Sequence, residues 1–207
     1  MCLKQKILLS VLIGFTVTGA AMYYLTTVKA DIEKSVLRFH VVANSNSKKD
    51  QQLKMKVRDD IAQYLNDKLN GCNSLDTVNE VVKCELQNIA DAACKTVQAE
   101  GYGYSVTARL GNFYFPTKQY EGFAFPAGNY NALRITLGSG AGENWWCVLY
   151  PQLCFVSSGK GKLAEQDKQK LKNVLSEDEY KIIVNAETGD YPVKIKFKLL
   201  ELLGRRN

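Results

Sequence analysis

The residues nearest to a chemical constellation in this 207-residue chain are Ser139, His40 and a few carboxylates. Ser139 lies in Gly138-Ser139-Gly140-Ala141-Gly142, and His40 is the single histidine that could serve it as a base. A nucleophile elbow needs a strand before the serine and a helix after it. Here Asn144-Trp145-Trp146 follows instead, a strand pattern. The same context removes a phosphate cradle, because no Gly-Lys-Ser/Thr and no helix amino end is present. The expectation is a hairpin loop. Asp59 and Asp60 are neighbours on a helix, about 100° apart, so they do not converge on one proton. Glu121 and Glu143 flank aromatic loops, but a glycosidase needs two carboxyl groups roughly 5–9.5 Å apart, and no pairing is visible. One histidine rules out a multi-histidine metal site, and no four-cysteine zinc spacing occurs.

One feature stands above background. Of 21 aromatic residues, 11 lie between Phe113 and Phe155, interspersed with Pro116, Gly122, Pro126 and Gly128. Loops of this composition bury aromatics poorly, and aromatic loops on a rigid sheet are a common recognition surface. The competing reading is a small aromatic core beneath the loop.

The elements that would position these residues follow from charge and periodicity. Lys+Arg is 27 against 21 Asp+Glu, a net charge of +6. Three of the lysines, Lys4, Lys6 and Lys29, belong to the first 30 residues. The rest is too mildly basic to indicate nucleic-acid binding. After Lys4 and Lys6 comes an uncharged run of 19 residues, Ile7 to Leu25. As a helix it spans roughly 28 Å, close to the thickness of a bilayer core, and the preceding lysines keep its start in the cytoplasm. Val28-Lys29-Ala30 offers small residues for a signal-peptidase cut before Asp31. A retained signal anchor, with membrane contact through this segment, is the alternative. Either way, residues 31–207 are exported.

Export changes how the cysteines read. Cys72, Cys84, Cys94, Cys147 and Cys154 remain, an odd number. A turn at Pro151 would bring Cys147 and Cys154 within the roughly 4.4–6.8 Å a disulfide requires, and an oxidising compartment favours the bridge over two buried thiols.

Leu37, Phe39 and Val41 alternate with Arg38 and His40, the pattern of a half-buried strand whose polar side meets water. Ser47 and Asp50 resemble a capping box opening a helix with Leu53, Val57, Ile61, Leu65 and Leu69 on one face. Ser74 caps a second long helix, whose stripe runs from Leu75 through Val78, Val82, Leu86, Ile89 and Ala93 to Val97. Tyr104–Leu110, Leu133–Leu137, Trp145–Tyr150 and Val193–Leu199 read as strands. On that pattern Arg38, His40, Arg109, Arg134, Lys194, Lys196 and Lys198 form an open basic face. The expected fold is an α+β two-layer sandwich, a mostly antiparallel mixed sheet with two long helices on one face. Residues 1–30 form the signal segment and 31–156 the domain. Residues 157–207 provide a linker, short helices (Ser176 and Glu179 fit a capping box) and a C-terminal strand added to the sheet.

A family resemblance rests on these same residues. Leu37-Arg38-Phe39-His40-Val41-Val42-Ala43-Asn44-Ser45-Asn46-Ser47, Asp50-Gln51-Gln52-Leu53-Lys54 and Val57-Arg58-Asp59 resemble the amino-terminal motif of the stage II sporulation protein R family. Phe115-Pro116-Thr117-Lys118, Pro126-Ala127-Gly128-Asn129-Tyr130, Arg134-Ile135 and Asn144-Trp145-Trp146-Cys147-Val148, then Pro151, Leu153, Cys154 and Phe155, resemble its second half. Gln152 stands where that family is expected to carry a second proline. The resemblance implies a signalling protein of endospore formation, not an enzyme, exported from the forespore into the intermembrane space. Its implied partner is a membrane-embedded aspartic protease of the mother cell that processes the sigma-E precursor, with no cofactor and no nucleic acid. The candidate partner-binding residues are Arg38, His40, Asn44, Phe115, Lys118, Tyr120, Phe125, Asn144, Trp145 and Trp146. A cell-envelope hydrolase and an intermembrane scaffold are the rival classes.

Overall fold

The computed structural model describes residues 3–120, 122–154 and 165–185. The first helix, α1 (Leu3–Ser35), is long and apolar enough to cross a membrane. From Leu3 to Thr27 its side chains are exposed, with Ala21 alone half-buried. Its last turns differ, because Val28 and Ile32 are buried in the domain. The apolar segment thus runs into the folded domain as one continuous helix, and Val28-Lys29-Ala30 is helical.

Strand β1 (Leu37–Val42) is followed by α2 (Lys48–Lys68). Ser47 caps α2 and accepts the backbone N–H of Asp50 at 3.1 Å, satisfying one of the free donors of the first turn. Ser74 does the same for α3 (Leu75–Cys84) through Thr77. The expected second long helix is two helices, since the chain breaks at Glu85 before α4 (Leu86–Ala99). The Glu85 carboxylate accepts from the Tyr64 hydroxyl, from Lys68 Nζ at 3.2 Å and from Asn88 Nδ2 at 2.9 Å. The Tyr64 hydroxyl above all, then Asn88 and Lys68, pushes its pKa down to about 2. The apolar stripe runs unbroken across this joint, which is why periodicity alone reads one helix.

Strands β2 (Val106–Phe115), β5 (Gly128–Leu137) and β6 (Asn144–Tyr150) complete a four-stranded sheet of order β2-β5-β1-β6. The sheet is mixed: β1 runs parallel to β5, with Phe39 opposite Leu133, and antiparallel to β6, with Phe39 opposite Cys147. Strand β2 is antiparallel to β5 along its length. Two short strands, β3 (Lys118–Tyr120) and β4 (Phe123–Phe125), form a separate hairpin. Because β1 lies between β5 and β6, the glycine loop 138–142 is not a hairpin but steps over the end of β1. Gly142 donates its N–H to Ala43 O at 2.9 Å. A Cβ there would lie 2.4 Å from Ser45 O, so the close approach admits only glycine.

One core fills the space between the sheet and α2–α4. Leu37, Phe39, Val41, Leu133, Ile135, Leu137 and Leu149 meet Val57, Ile61, Leu65, Ile89 and Val97 there. Each such side chain contributes about 1.5–3 kcal/mol of transfer free energy.

The opposite face of the sheet is covered as well, against the expectation of an open basic surface. Helices α5 (Glu165–Val174) and α6 (Glu177–Asn185) supply Leu171 and Ile183, and the joint between them Leu175, to a second core. Ile32 of α1, Phe123 and Phe125 of the hairpin, and Phe115, Tyr130 and Val148 of the sheet complete it. The capping box before α6 is reciprocal: Ser176 N–H donates to Glu179 Oε2 at 2.5 Å and Glu179 N–H to Ser176 Oγ at 3.3 Å. Glu121, Phe155, the linker at 157–162 and the predicted strand Val193–Leu199 with Lys194, Lys196 and Lys198 lie outside the described residues.

Candidate recognition site

Arg38 is the centre of the second core and is fully buried. Its guanidinium carbon lies 4.6 Å from the ring centre of Phe115, 4.8 Å from Phe125 and 5.0 Å from Tyr130. Nε donates to the Cys147 carbonyl at 3.1 Å and Nη2 to the Tyr120 hydroxyl at 3.0 Å. Three aromatic faces replace part of the lost hydration of this cation. Burial lowers its pKa, while Tyr120 and Tyr130 act the other way. The proline- and glycine-rich aromatic loop is therefore largely a mini-core wrapped around one cation.

Beside it, four residues stand in one row across four strands: Arg109 on β2, Arg134 on β5, His40 on β1 and Trp146 on β6. His40 retains 3% of its accessible surface, which overturns its reading as a solvated histidine. It is stacked on Trp146 with ring centres 4.7 Å apart, and Phe115 and Phe113 lie 5.1 and 5.5 Å away. Neither ring nitrogen has a hydrogen-bond partner. Burial first, then Arg134 and Arg38, push its pKa down to about 3, so the ring is neutral at ordinary pH. Lys118 Nζ sits 5.6 Å above the Trp146 ring, and Arg134 lies 5.4 Å from the Phe113 ring.

Alternation in β6 sends the two tryptophans to opposite faces, as the sequence predicts. Trp145 joins the first core, edge-on to Phe39 at 6.1 Å, with Arg58 lying 4.9 Å from its ring centre. Trp146 joins the second. Both are half-buried.

Asn44 belongs to a different construction. Its Oδ1 accepts from the Ser139 backbone N–H at 3.0 Å, and its backbone carbonyl accepts from Ser139 Oγ at 2.8 Å. Asn44 Nδ2 donates to Asp50 Oδ2 at 3.1 Å, and the Tyr104 hydroxyl donates to Asp50 Oδ1 at 3.0 Å. Hydrogen bonds from the Ser45 hydroxyl above all, then Asn44 and Tyr104, hold the Asp50 carboxyl below its usual range despite desolvation. Lys54 Nζ ties α2 to the loop through the Glu143 carbonyl at 3.1 Å. This network fixes the Asn44–Asp50 segment to the glycine loop and occupies the Ser139 hydroxyl.

The predicted site residues thus fall into three groups. Arg38, His40, Phe115 and Phe125 are buried, so a partner meeting this surface touches none of their side chains; the sheet face they occupy is roofed by α1, the hairpin, α5 and α6. Asn44, half-buried, is tied to Ser139 and Asp50. Lys118, Tyr120, Trp145 and Trp146 are half-exposed and Asn144 is exposed. Sequence reasoning missed that α5 and α6 roof the face; Leu171 and Leu175 at i, i+4 spacing are the signal that would have found it.

Cys147 and Cys154 are disulfide-bonded, with Cα atoms 5.3 Å apart, and the turn between them carries a cis Tyr150–Pro151 bond. Cys72, Cys84 and Cys94 are free.

A family model described as stage II sporulation protein R matches residues 33–160. Over 139 residues the chain is 36% identical to the stage II sporulation protein R of Bacillus subtilis (strain 168), a match covering 67% of this chain and 62% of that protein. The chain thus spans somewhat under two thirds of the curated relative it matches. No solved structure is significantly similar to it. The matched residues contain β1 with Arg38 and His40, the aromatic loop and both tryptophans, and on them the chain belongs to the stage II sporulation protein R family of sporulation proteins.

Proposed function

We propose that this protein is an exported sporulation signal that acts by binding. Its receptor is a membrane-embedded aspartic protease of the mother cell, and its effect is processing of the sigma-E precursor from the intermembrane space. The observation that carries the binding reading is the fate of the groups best suited to chemistry. The one histidine is sealed beneath Trp146 with neither nitrogen bonded, and the Ser139 hydroxyl is spent on Asn44. What the domain offers outward beside them is an aromatic and cationic rim, the kind of surface that anchors protein partners. The apolar helix α1 supports export and is compatible with a signal peptide or an anchor.

Co-expression of the full chain with the protease and the sigma precursor in a non-sporulating host tests the reading. Cleaved precursor on an immunoblot is the expected result. No cleavage with all three proteins present would overturn it.

A further inference from the structure

The roof over the second sheet face is incomplete. Beyond the row of Arg109, Arg134, His40 and Trp146, the next row on this face is Thr107 and Asn144, both exposed, Thr136, half-exposed, and Val42, buried. Arg109 is exposed; Arg134 and Lys118 are half-buried. Among the described residues no carboxylate pairs with any of the three. Arg134 Nε is buried without an acceptor. Its neighbour His40 accepts no hydrogen bond from it. Lys118 above the half-exposed Trp146, with Arg134 and Arg109 two and three strands further along the row, none paired with a described carboxylate, is matched in sign by an extended acidic chain, whose carboxylates bond guanidinium groups in charge-assisted geometry.

The position of the patch separates a protein from a lipid surface. Helix α1 meets the sheet at the start of β5, where the Glu33 side chain packs against Gly128. Arg134 lies six residues further along that strand, about 20 Å away at the strand rise. That is about two and a half screening lengths at physiological salt, so headgroups around the apolar helix act weakly on it.

We infer that the Arg109–Arg134–Lys118 surface beside Trp146 docks an acidic polypeptide segment of the receptor. This rests on the binding function proposed above and assigns it a surface. Arg109 is the steering charge, Arg134 the one that gains an acceptor, and Trp146 the apolar anchor.

The test uses the full chain in neutral detergent micelles and a fluorescein-labelled peptide of five Glu-Gly repeats, read by anisotropy. Binding should weaken about tenfold or more between 0.05 and 0.3 M salt. It should also fall about tenfold or more in Arg109→Glu/Lys118→Glu, whose exposed or half-exposed sites spare the fold, with circular dichroism as the check. Lys83→Glu/Lys95→Glu, the same charge change on the helix face, should bind as the parent does. Equal peptide binding by parent and Arg109→Glu/Lys118→Glu would overturn the inference. So would binding to phosphatidylglycerol vesicles without binding to the peptide, which makes the patch a lipid surface. In co-expression, a parent chain that triggers no cleavage sinks the functional reading. A parent and an Arg109→Glu/Lys118→Glu variant that trigger it equally sink the surface alone.

Discussion

Trp146 lies nearly flat on His40, their planes 20° apart and their ring centres separated by 4.7 Å. The indole closes off an imidazole that has no hydrogen-bond partner at either nitrogen. A buried, unbonded imidazole is tolerated only while it is uncharged.

The first prediction concerns acid. His40 has its pKa lowered to about 3 in the folded chain, against an ordinary value of 6.5. Below 6.5 the unfolded chain takes up a proton that the folded one refuses. Stability from this group is therefore complete above pH 6.5 and is lost as pH falls toward 3, by up to about 1.4 kcal/mol per pH unit. His40→Phe should flatten that part of the profile. Denaturant midpoints measured from pH 7 to 4 decide it, and equal slopes for parent and variant would refute it.

Removing the lid tests the same pair differently. Trp146→Ala admits water to the imidazole, so the His40 Cε1 proton resonance should titrate closer to pH 6.5 than in the parent. Signalling should be lost with it if Trp146 is an anchor. Trp145→Ala, on the opposite core, should cost about 3 kcal/mol of stability and leave the His40 titration unchanged.

Arg38 is held by three rings and two hydrogen bonds. Arg38→Lys keeps the charge but loses the planar fork that reaches Cys147 O and Tyr120 together. A loss of about 2–4 kcal/mol in urea unfolding is expected, from two forfeited bonds and weaker stacking. Arg38→Leu should cost as much, because the Cys147 carbonyl and Tyr120 hydroxyl then lose their donor. A neutral result for Arg38→Lys would mean the rings alone hold the core.

The bridge between Cys147 and Cys154 closes a loop of seven residues' separation. A loop that short is worth about 2–3 kcal/mol on the chain-entropy account. Cys147→Ala/Cys154→Ala should lower the melting temperature by several degrees, and dithiothreitol should do the same to the parent but not to the double variant.

The proposed export bears on the amino end. Val28-Lys29-Ala30 is helical, and Val28 is buried against the domain. Proteolysis prefers exposed, open backbone. A cut before Asp31 must therefore precede docking of this helix. Mass spectrometry of the exported chain distinguishes a start at Asp31 from a retained anchor, and a signal-peptidase inhibitor added after folding should not change the ratio.

Local pattern carried most of the elements but not what covers them. Alternation in Leu37–Val42 correctly separates Leu37, Phe39 and Val41 from Arg38 and His40. It cannot say that the second set is roofed, because beside Ile32 of the preceding helix the roof comes from Phe125, Leu171 and Ile183, remote in sequence. Ser176 and Glu179 are legible because a capping box is local. The break at Glu85 is not, since the residues its side chain meets there, Tyr64 and Lys68, lie on another helix. The tryptophans split as alternation requires, yet neither is wholly core nor wholly surface.

The central place of β1 has a consequence for when this molecule can exist as a folded body. Its guanidinium at Arg38 finds the carbonyl of Cys147 only 109 residues later, and its sheet partners on either side are equally remote. Pairings of that span form slowly, and a chain built on them stays incomplete until its last strand has arrived. A chain threaded through a membrane behind its apolar segment would carry β1 across unpaired, with the domain assembling only once β6 had crossed too. Assembly, and with it any signal the domain sends, would then be confined to the far side.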